Sequence, residues 1–142
     1  MTQSSDAARP TAAITSYHAH VYYADDGERA VAAWLRDRID EQFVLRIGRW
    51  HDKPVGPHTR GMYQLAFRIE LFAMLVPWLM LNRRGLSVLV HPNTDNPHDD
   101  HLVHALWLGE TLPLNGERLP HRIDPAATPE DHAPNTKAMK KL

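Results

Sequence analysis

Residues 17–23, YHAHVYY, constrain the fold more than any other stretch of this chain. Successive side chains of a strand point to opposite faces, so Tyr17, Ala19 and Val21 would share one face and His18, His20 and Tyr22 the other. The next segment, DDGERAVAAWLRDRIDEQF at 25–43, changes period. Ala30, Val31, Trp34, Leu35 and Ile39 recur at helical spacing, and Asp25 or Asp26 can cap the start. A two-faced strand followed at once by an amphipathic helix predicts a sheet covered on one side by helices, with the histidines turned to the other.

The remaining pattern extends this plan. FVLRIGRW (43–50) reads as a second strand, HDKPVGPHTRG (51–61) as a loop and MYQLAFRIE (62–70) as a third strand. Residues 71–82 read as a mostly buried second helix, with Pro77 either kinking it or lying near its first turn and Gly85 in a left-handed cap beyond its end. LSVLVHP (86–92) reads as a fourth strand that Pro92 stops, with Leu86, Val88 and Val90 on one face and Ser87, Leu89 and His91 on the other. After a polar loop, VHALWLG (103–109) reads as a short fifth strand. The order is β-α-β-β-α-β plus one strand. It predicts an α+β, ferredoxin-like split β-α-β fold with an antiparallel sheet, two helices on one face and an open opposite face. Residues 1–13 are expected to form a disordered lead, 14–117 the domain and 118–142 a flexible, proline-rich tail.

Composition narrows the chemistry. A chain of 142 residues suits one domain with a real core, and a net charge of −1 gives no basic surface for nucleic acid. There is no cysteine, so disulfides and thiolate metal sites are excluded, and any metal would be held by His, Asp or Glu. The longest apolar run, residues 71–81, is too short for a bilayer and contains Pro77. The opening MTQSSDAARPTAA has no apolar core of a secretory signal, so the expectation is a cytoplasmic protein with no membrane partner. The unusual count is ten histidines.

In the split plan the first strand lies antiparallel beside the fourth. That can bring His18 opposite His91, with His104 one strand further on and His20 as a fourth member. Neighbouring strands are about 4.8 Å apart and same-face residues of one strand roughly 6.5–7 Å. With metal–imidazole distances of about 2.1 Å, rings within that footprint can converge on one ion. A single histidine on a strand is more often a surface or core residue than a ligand; the metal reading rests on several falling on the helix-free face. Asp99 and Asp100 can supply a carboxylate ligand, a general base or a partner that fixes an imidazole tautomer, or can belong to a solvated turn. His51 and His58 lie in the WHDKPVGPH loop, and His58 reaches His20 if that loop folds over the open face. Arg49 can grip a substrate carboxylate through its fork or lie in solvent.

Five blocks then occur in order over residues 17–109: YHAHVYY, GRWHDKPVGPH, MYQLAF, VPWLMLNRRGLSVLVHP and DHLVHALWLG. Together they resemble the DOPA 4,5-dioxygenase family. The resemblance implies a ferredoxin-like fold and extradiol cleavage of a catechol such as DOPA by O2 at a non-haem Fe(II), with Zn or another divalent metal as the alternative. The family motifs fall on His18, His20, His58, His91, His101 and His104. On this reading His18, His91 and His104 form the metal-ligand core and His20 is ligand or base. His58 and His101 are acid–base and substrate-contact residues, and Tyr22 and Arg49 are further substrate contacts. Two features depart from the family pattern: Thr59 follows His58 where Pro is expected, and NTDNPHDD carries Pro97 and His98 as insertions. The common iron triad has two histidines and a carboxylate, but no single Asp or Glu stands out on the open face, so an all-histidine set is a further alternative. The exposed face and its aromatics suggest a homodimer. The competing classes are a non-catalytic metal-binding or sensing module and a structural dimerisation domain.

Overall fold

The alternating run forms strand β1, Ser16–Tyr23, in the structure of the protein, a computed structural model that describes residues 6–124. The outer parts of the expected lead and tail, residues 1–5 and 125–142, lie outside the described residues. The Asp25 carboxylate accepts from the Glu28 N–H and the Glu28 carboxylate accepts from the Ala24 N–H, which fixes the turn into helix α1, Asp26–Gln42. Strands β2 (Arg46–Ile47) and β3 (Gly61–Phe67), helix α2 (Phe72–Asn82), strand β4 (Val88–Asn93), helix α3 (Pro97–Leu102) and strand β5 (Leu106–Leu108) follow. The sheet order is β2-β3-β1-β4-β5, with every neighbouring pair antiparallel. This is the split β-α-β arrangement with one strand added at its β4 edge.

Both long helices cover one face. Ala32, Leu35 and Ile39 of α1 and Leu75, Val76 and Leu79 of α2 share one buried cluster with Ala19, Val21, Leu65, Phe67, Val88 and Val90 of the sheet. On the strands the alternation selects Ala19, Val21, Val88 and Val90 correctly; on α1 Leu35 and Ile39 are buried and Val31 and Trp34 pack partly buried against the cluster, while Ala30 is exposed and Ala32 is buried instead.

Three local expectations change, and the choice left open at Pro77 narrows. The second strand shrinks to two residues, because Phe43, Val44 and Leu45 bury their side chains as an irregular link instead of pairing. Pairing with β3 then resumes at a single bridge, His51 to Met62. Pro77 lies in the interior of α2, where it has no N–H to offer the Ala73 carbonyl. Pro92 does not stop β4: Pro92 and Asn93 pair with Tyr17 and Ser16 of β1. The β5 ladder ends at Val90, so the outer side of β4 has no bond to lose at Pro92. The expected polar loop contains α3, whose N-cap Asn96 accepts from the Asp99 N–H and whose first residue is Pro97.

A larger change concerns the second face, which is covered. Tyr22, Met62 and Leu89 form a second buried cluster with Leu112, flanked by Ala105, Trp107 and Leu114. The loop between β2 and β3 is pinned over this face by two hydrogen bonds. The Thr59 hydroxyl donates to the Pro113 carbonyl at 2.8 Å, and the Asn115 N–H donates to the Pro57 carbonyl at 2.8 Å. Thr59, the departure from the family pattern, thus supplies one of the pins. Tyr22 is only 1% exposed, so the aromatic surface from which a homodimer was expected is inside the molecule. Residues 120–123, assigned in advance to the tail, run beside residues 95–98: the His98 N–H donates to the Pro120 carbonyl and the Ile123 N–H to the Asp95 carbonyl.

Candidate metal centre

β1 pairs with β4 so that His18 stands opposite His91. The same face of β1 carries His20 next to His18, opposite Leu89 on one side and Gln64 on the other. His58 enters from the loop between β2 and β3, and His101 enters from α3. His18, His20, His58 and His91 are 6%, 2%, 5% and 1% exposed, so little water reaches them.

Two groups of three have ligand atoms within 4.8 Å of one another: His18, His20 and His91, and His20, His58 and His101. His20 belongs to both. The His91 and His101 rings are 3.8 Å apart between centroids, and those of His20 and His58 4.2 Å. His20 Nε2 and His91 Nε2 approach to 3.1 Å.

Hydrogen-bond partners assign most of the tautomers. His91 Nδ1 lies 2.9 Å from the Pro92 carbonyl, and His101 Nδ1 lies 2.7 Å from the Pro97 carbonyl. A carbonyl oxygen only accepts, so both Nδ1 atoms carry hydrogen and both Nε2 atoms present a lone pair. His58 Nδ1 lies 2.7 Å from the Tyr22 hydroxyl. Burial raises the Tyr22 pKa, so the phenol keeps its hydrogen and has it to donate. That arrangement puts the His58 hydrogen on Nε2.

Electrostatics keep three of the rings neutral. Burial first, and then the neighbouring imidazoles, hold His20 and His91 well below the usual histidine range. His58 is lowered to about 3, again chiefly by burial and then by His101 and His51. Neutral imidazole is the form that binds metals. His20 Nδ1 is buried with no hydrogen-bond partner, as expected of a ring whose surroundings were built for something beyond the protein's own polar groups. The donor set therefore fits a metal ion. It is imidazole alone, which suits iron, zinc, copper or nickel.

The candidate carboxylates do not join these groups. Asp100 is 1% exposed and accepts from the Thr94 N–H at 2.8 Å and the Thr94 hydroxyl at 2.6 Å, which ties α3 to the end of β4. Asp99 meets His98 instead. His104 is not brought to the others either. Because residues 97–102 wind into α3 and β5 starts only at Leu106, His104 falls in the exposed link between them, with its Nε2 3.4 Å from Arg9 Nη1. Arg49 is exposed in the segment between β2 and β3. Tyr22, expected as a substrate contact, is hydrogen-bonded to His58. The Thr94–Asp100 tie escaped sequence reasoning. Its trace is the helix-start pattern Asn96-Pro97 with acidic Asp99 and Asp100 in the first turn.

Fold and site together define a single-sheet α+β protein with a buried histidine centre able to hold a metal ion. The profile of the Dopa 4,5-dioxygenase family matches residues 17–118, and the chain belongs to that family. It is 35% identical over 119 residues to the DOPA 4,5-dioxygenase of Amanita muscaria, a match covering 78% of this chain and 52% of that protein. It is 37% identical over 111 residues to an "uncharacterized 21.2 kDa protein" of Botryotinia fuckeliana, covering 70% of this chain and 61% of that one. The chain therefore spans little more than half the length of these curated relatives. A crystal structure of a provisionally assigned dioxygenase from Nostoc punctiforme superposes with a TM-score of 0.76 at 50% identity, covering 78% of this chain and 96% of that one. Among the described residues, no helix is long and apolar enough to cross a membrane.

Proposed function

We propose that the protein is a metal-dependent extradiol dioxygenase that opens the ring of a catechol with O2. The observation that carries this reading is the buried, imidazole-only centre on the sheet face of a chain that belongs to a dioxygenase family. The Amanita relative, named DOPA 4,5-dioxygenase, supports DOPA-like catechols as the first substrates to try.

His18, His20 and His91 are the proposed ligands, with Fe(II) the first choice of metal and zinc or another divalent ion the alternative. An Fe(II) ion held there would supply chelation of both catechol oxygens and activation of O2 beside the ring. His101 is suited to be the base. Its Nε2 lone pair accepts a catechol hydroxyl proton, and the Pro97 carbonyl at 2.7 Å from Nδ1 steadies the charge that forms. His58 is suited to be a hydrogen-bond donor beside it. It holds a hydrogen on Nε2 while Tyr22 fixes Nδ1, and that N–H stabilises the charge that develops on oxygen as the ring opens, while the proton taken up by His101 is the one returned. One ring C–C bond beside a hydroxyl-bearing carbon breaks, both atoms of O2 enter the product, and a semialdehyde and a carboxylate result without an external reductant.

The test is to strip the protein of metal, reload it separately with Fe(II), Mn(II), Co(II) or Zn(II), and offer a panel of catechols that includes DOPA. Turnover is read as O2 uptake together with a yellow semialdehyde that carries both atoms of isotope-labelled O2. Metal binding without turnover on any catechol would remove the dioxygenase reading and leave a metal-holding module.

A further inference from the structure

Outside the buried centre, His98 lies on α3 and His121 in the segment that runs beside residues 95–98. We propose that His98, Asp99 and His121 form a second, surface site for a divalent transition-metal ion. The ligand atoms of these three residues lie within 4.8 Å of one another. His98 Nδ1 is 2.9 Å from Asp99 Oδ1, and the His98 and His121 rings stack with centroids 4.0 Å apart and planes 28° apart.

The backbone assembles the site before any ion arrives. The His98 N–H donates to the Pro120 carbonyl at 3.0 Å and the Ile123 N–H donates to the Asp95 carbonyl at 2.7 Å. These bonds hold residues 120–123 along residues 95–98 and set His121 beside His98. Gly116 packs against Leu102 and the His98 ring: a Cβ there would lie 2.8 Å from Leu102 Cδ1 and 3.4 Å from His98 Nε2. That packing turns the other nitrogen, Nδ1, toward Asp99. Ordering costs are thus largely met by the fold itself, which favours binding.

The donors are two imidazoles and one carboxylate. The side chains of His98 and Asp99 are 25% and 35% exposed and His121 is exposed, so water can fill the remaining positions. Nitrogen and oxygen donors of this kind suit Zn(II), and also Fe(II), Ni(II) or Cu(II). The site is separate from the buried centre: His101 of the same helix lies against His20, His58 and His91, and no residue of those groups belongs to the group of His98, Asp99 and His121. An ion held by His98, Asp99 and His121 would clamp residues 120–123 onto the helix that carries His101.

The test uses tag-free, chelator-stripped, full-length protein titrated with Zn(II), with bound metal counted by elemental analysis after equilibrium dialysis. His121→Ala removes an exposed ring, and circular dichroism checks that it folds as the parent does. Both His121→Ala and Asp99→Asn should bind one Zn(II) fewer than the parent. That difference is read whatever the buried centre binds, and catechol turnover by Fe(II)-loaded His121→Ala should equal that of the parent. If His121→Ala and the parent bind equal amounts of Zn(II), the second site does not exist.

Discussion

Acid should unfold the metal-free protein over a window set by its buried histidines. His20, His58 and His91 all have folded-state pKa values below that of an unfolded histidine, which is about 6.5. Below about pH 6.5 the unfolded chain takes up protons that the folded chain refuses, so stability is complete above that pH and falls beneath it. Each such histidine contributes a slope of about 1.4 kcal/mol per pH unit. For His58 the window runs down to about 3. The three together give a slope of about 4 kcal/mol per pH unit, or about 6 kcal/mol lost by pH ~5. A domain of ordinary stability has about 5–15 kcal/mol in all, so that loss is enough to bring unfolding within reach of mild acid. The assay is urea unfolding of metal-free protein at a series of pH values, followed by tryptophan fluorescence, with the slope of stability against pH giving the number of protons taken up. His58→Gln should lower that number by about one. Bound metal should shift the transition to lower pH, because the ion binds the neutral rings and must be displaced by protons. A metal-free protein whose stability is flat between about pH 7 and 5 would refute the argument, because its imidazoles would then be hydrated or already charged in the folded state.

Two substitutions test the supports of the centre and a third tests the core on the other face. Tyr22→Phe removes the donor 2.7 Å from His58 Nδ1 and should cost about 1–3 kcal/mol by urea unfolding; it should also shift the pH profile of catechol turnover, since His58 loses the group that fixes its tautomer. Asp100→Ala removes the acceptor for the Thr94 N–H and hydroxyl and should cost about 2–4 kcal/mol, with turnover falling because α3 no longer holds His101 in place. Gly61→Ala would put a Cβ 2.5 Å from the Tyr23 ring and should cost about 1–3 kcal/mol, read as a lowered Tm with metal stoichiometry unchanged once the protein is folded.

The parts of the site that lie on β1 and β4 were legible because period two is a local property. The alternation of residues 17–23 separates His18 and His20 from the core wherever the strand goes, and the split plan then requires β1 to neighbour β4. Those two steps put His18 and His91 on one face of neighbouring strands; the register that sets them opposite one another comes from the structure. His101 and His104 were not separable this way. Which of them reaches the centre depends on whether residues 97–102 wind as a helix, and six residues do not hold a helix alone. The Asp100–Thr94 bonds, made to the end of another element, stabilise α3 and point His101 back over its own Pro97 carbonyl. The covering of the second face was equally hidden, because it depends on where residues 110–118 return, and no periodicity in that proline-containing stretch states it. His91 illustrates the consequence. As an outer-face residue it would be removable at little cost, but at 1% exposure His91→Ala vacates buried space as well as a donor.

The cover and the chemistry are one structure. On a bare sheet face these histidines would be hydrated, and each would titrate near its ordinary pKa. The loop that brings His58 and the helix that brings His101 exclude the water, and the desolvation they impose is the largest cause of the low pKa of His20, His58 and His91. The same two elements therefore add functional groups and convert those already on the sheet into neutral donors. This links the pins of the cover, Thr59 to Pro113 and Asn115 to Pro57 on either side of His58, to the protonation state of His20 and His91 on the sheet. Loosening the cover would admit water and raise the histidine pKa values toward the ordinary range. Near pH 6, protons would then compete with metal for the same nitrogens.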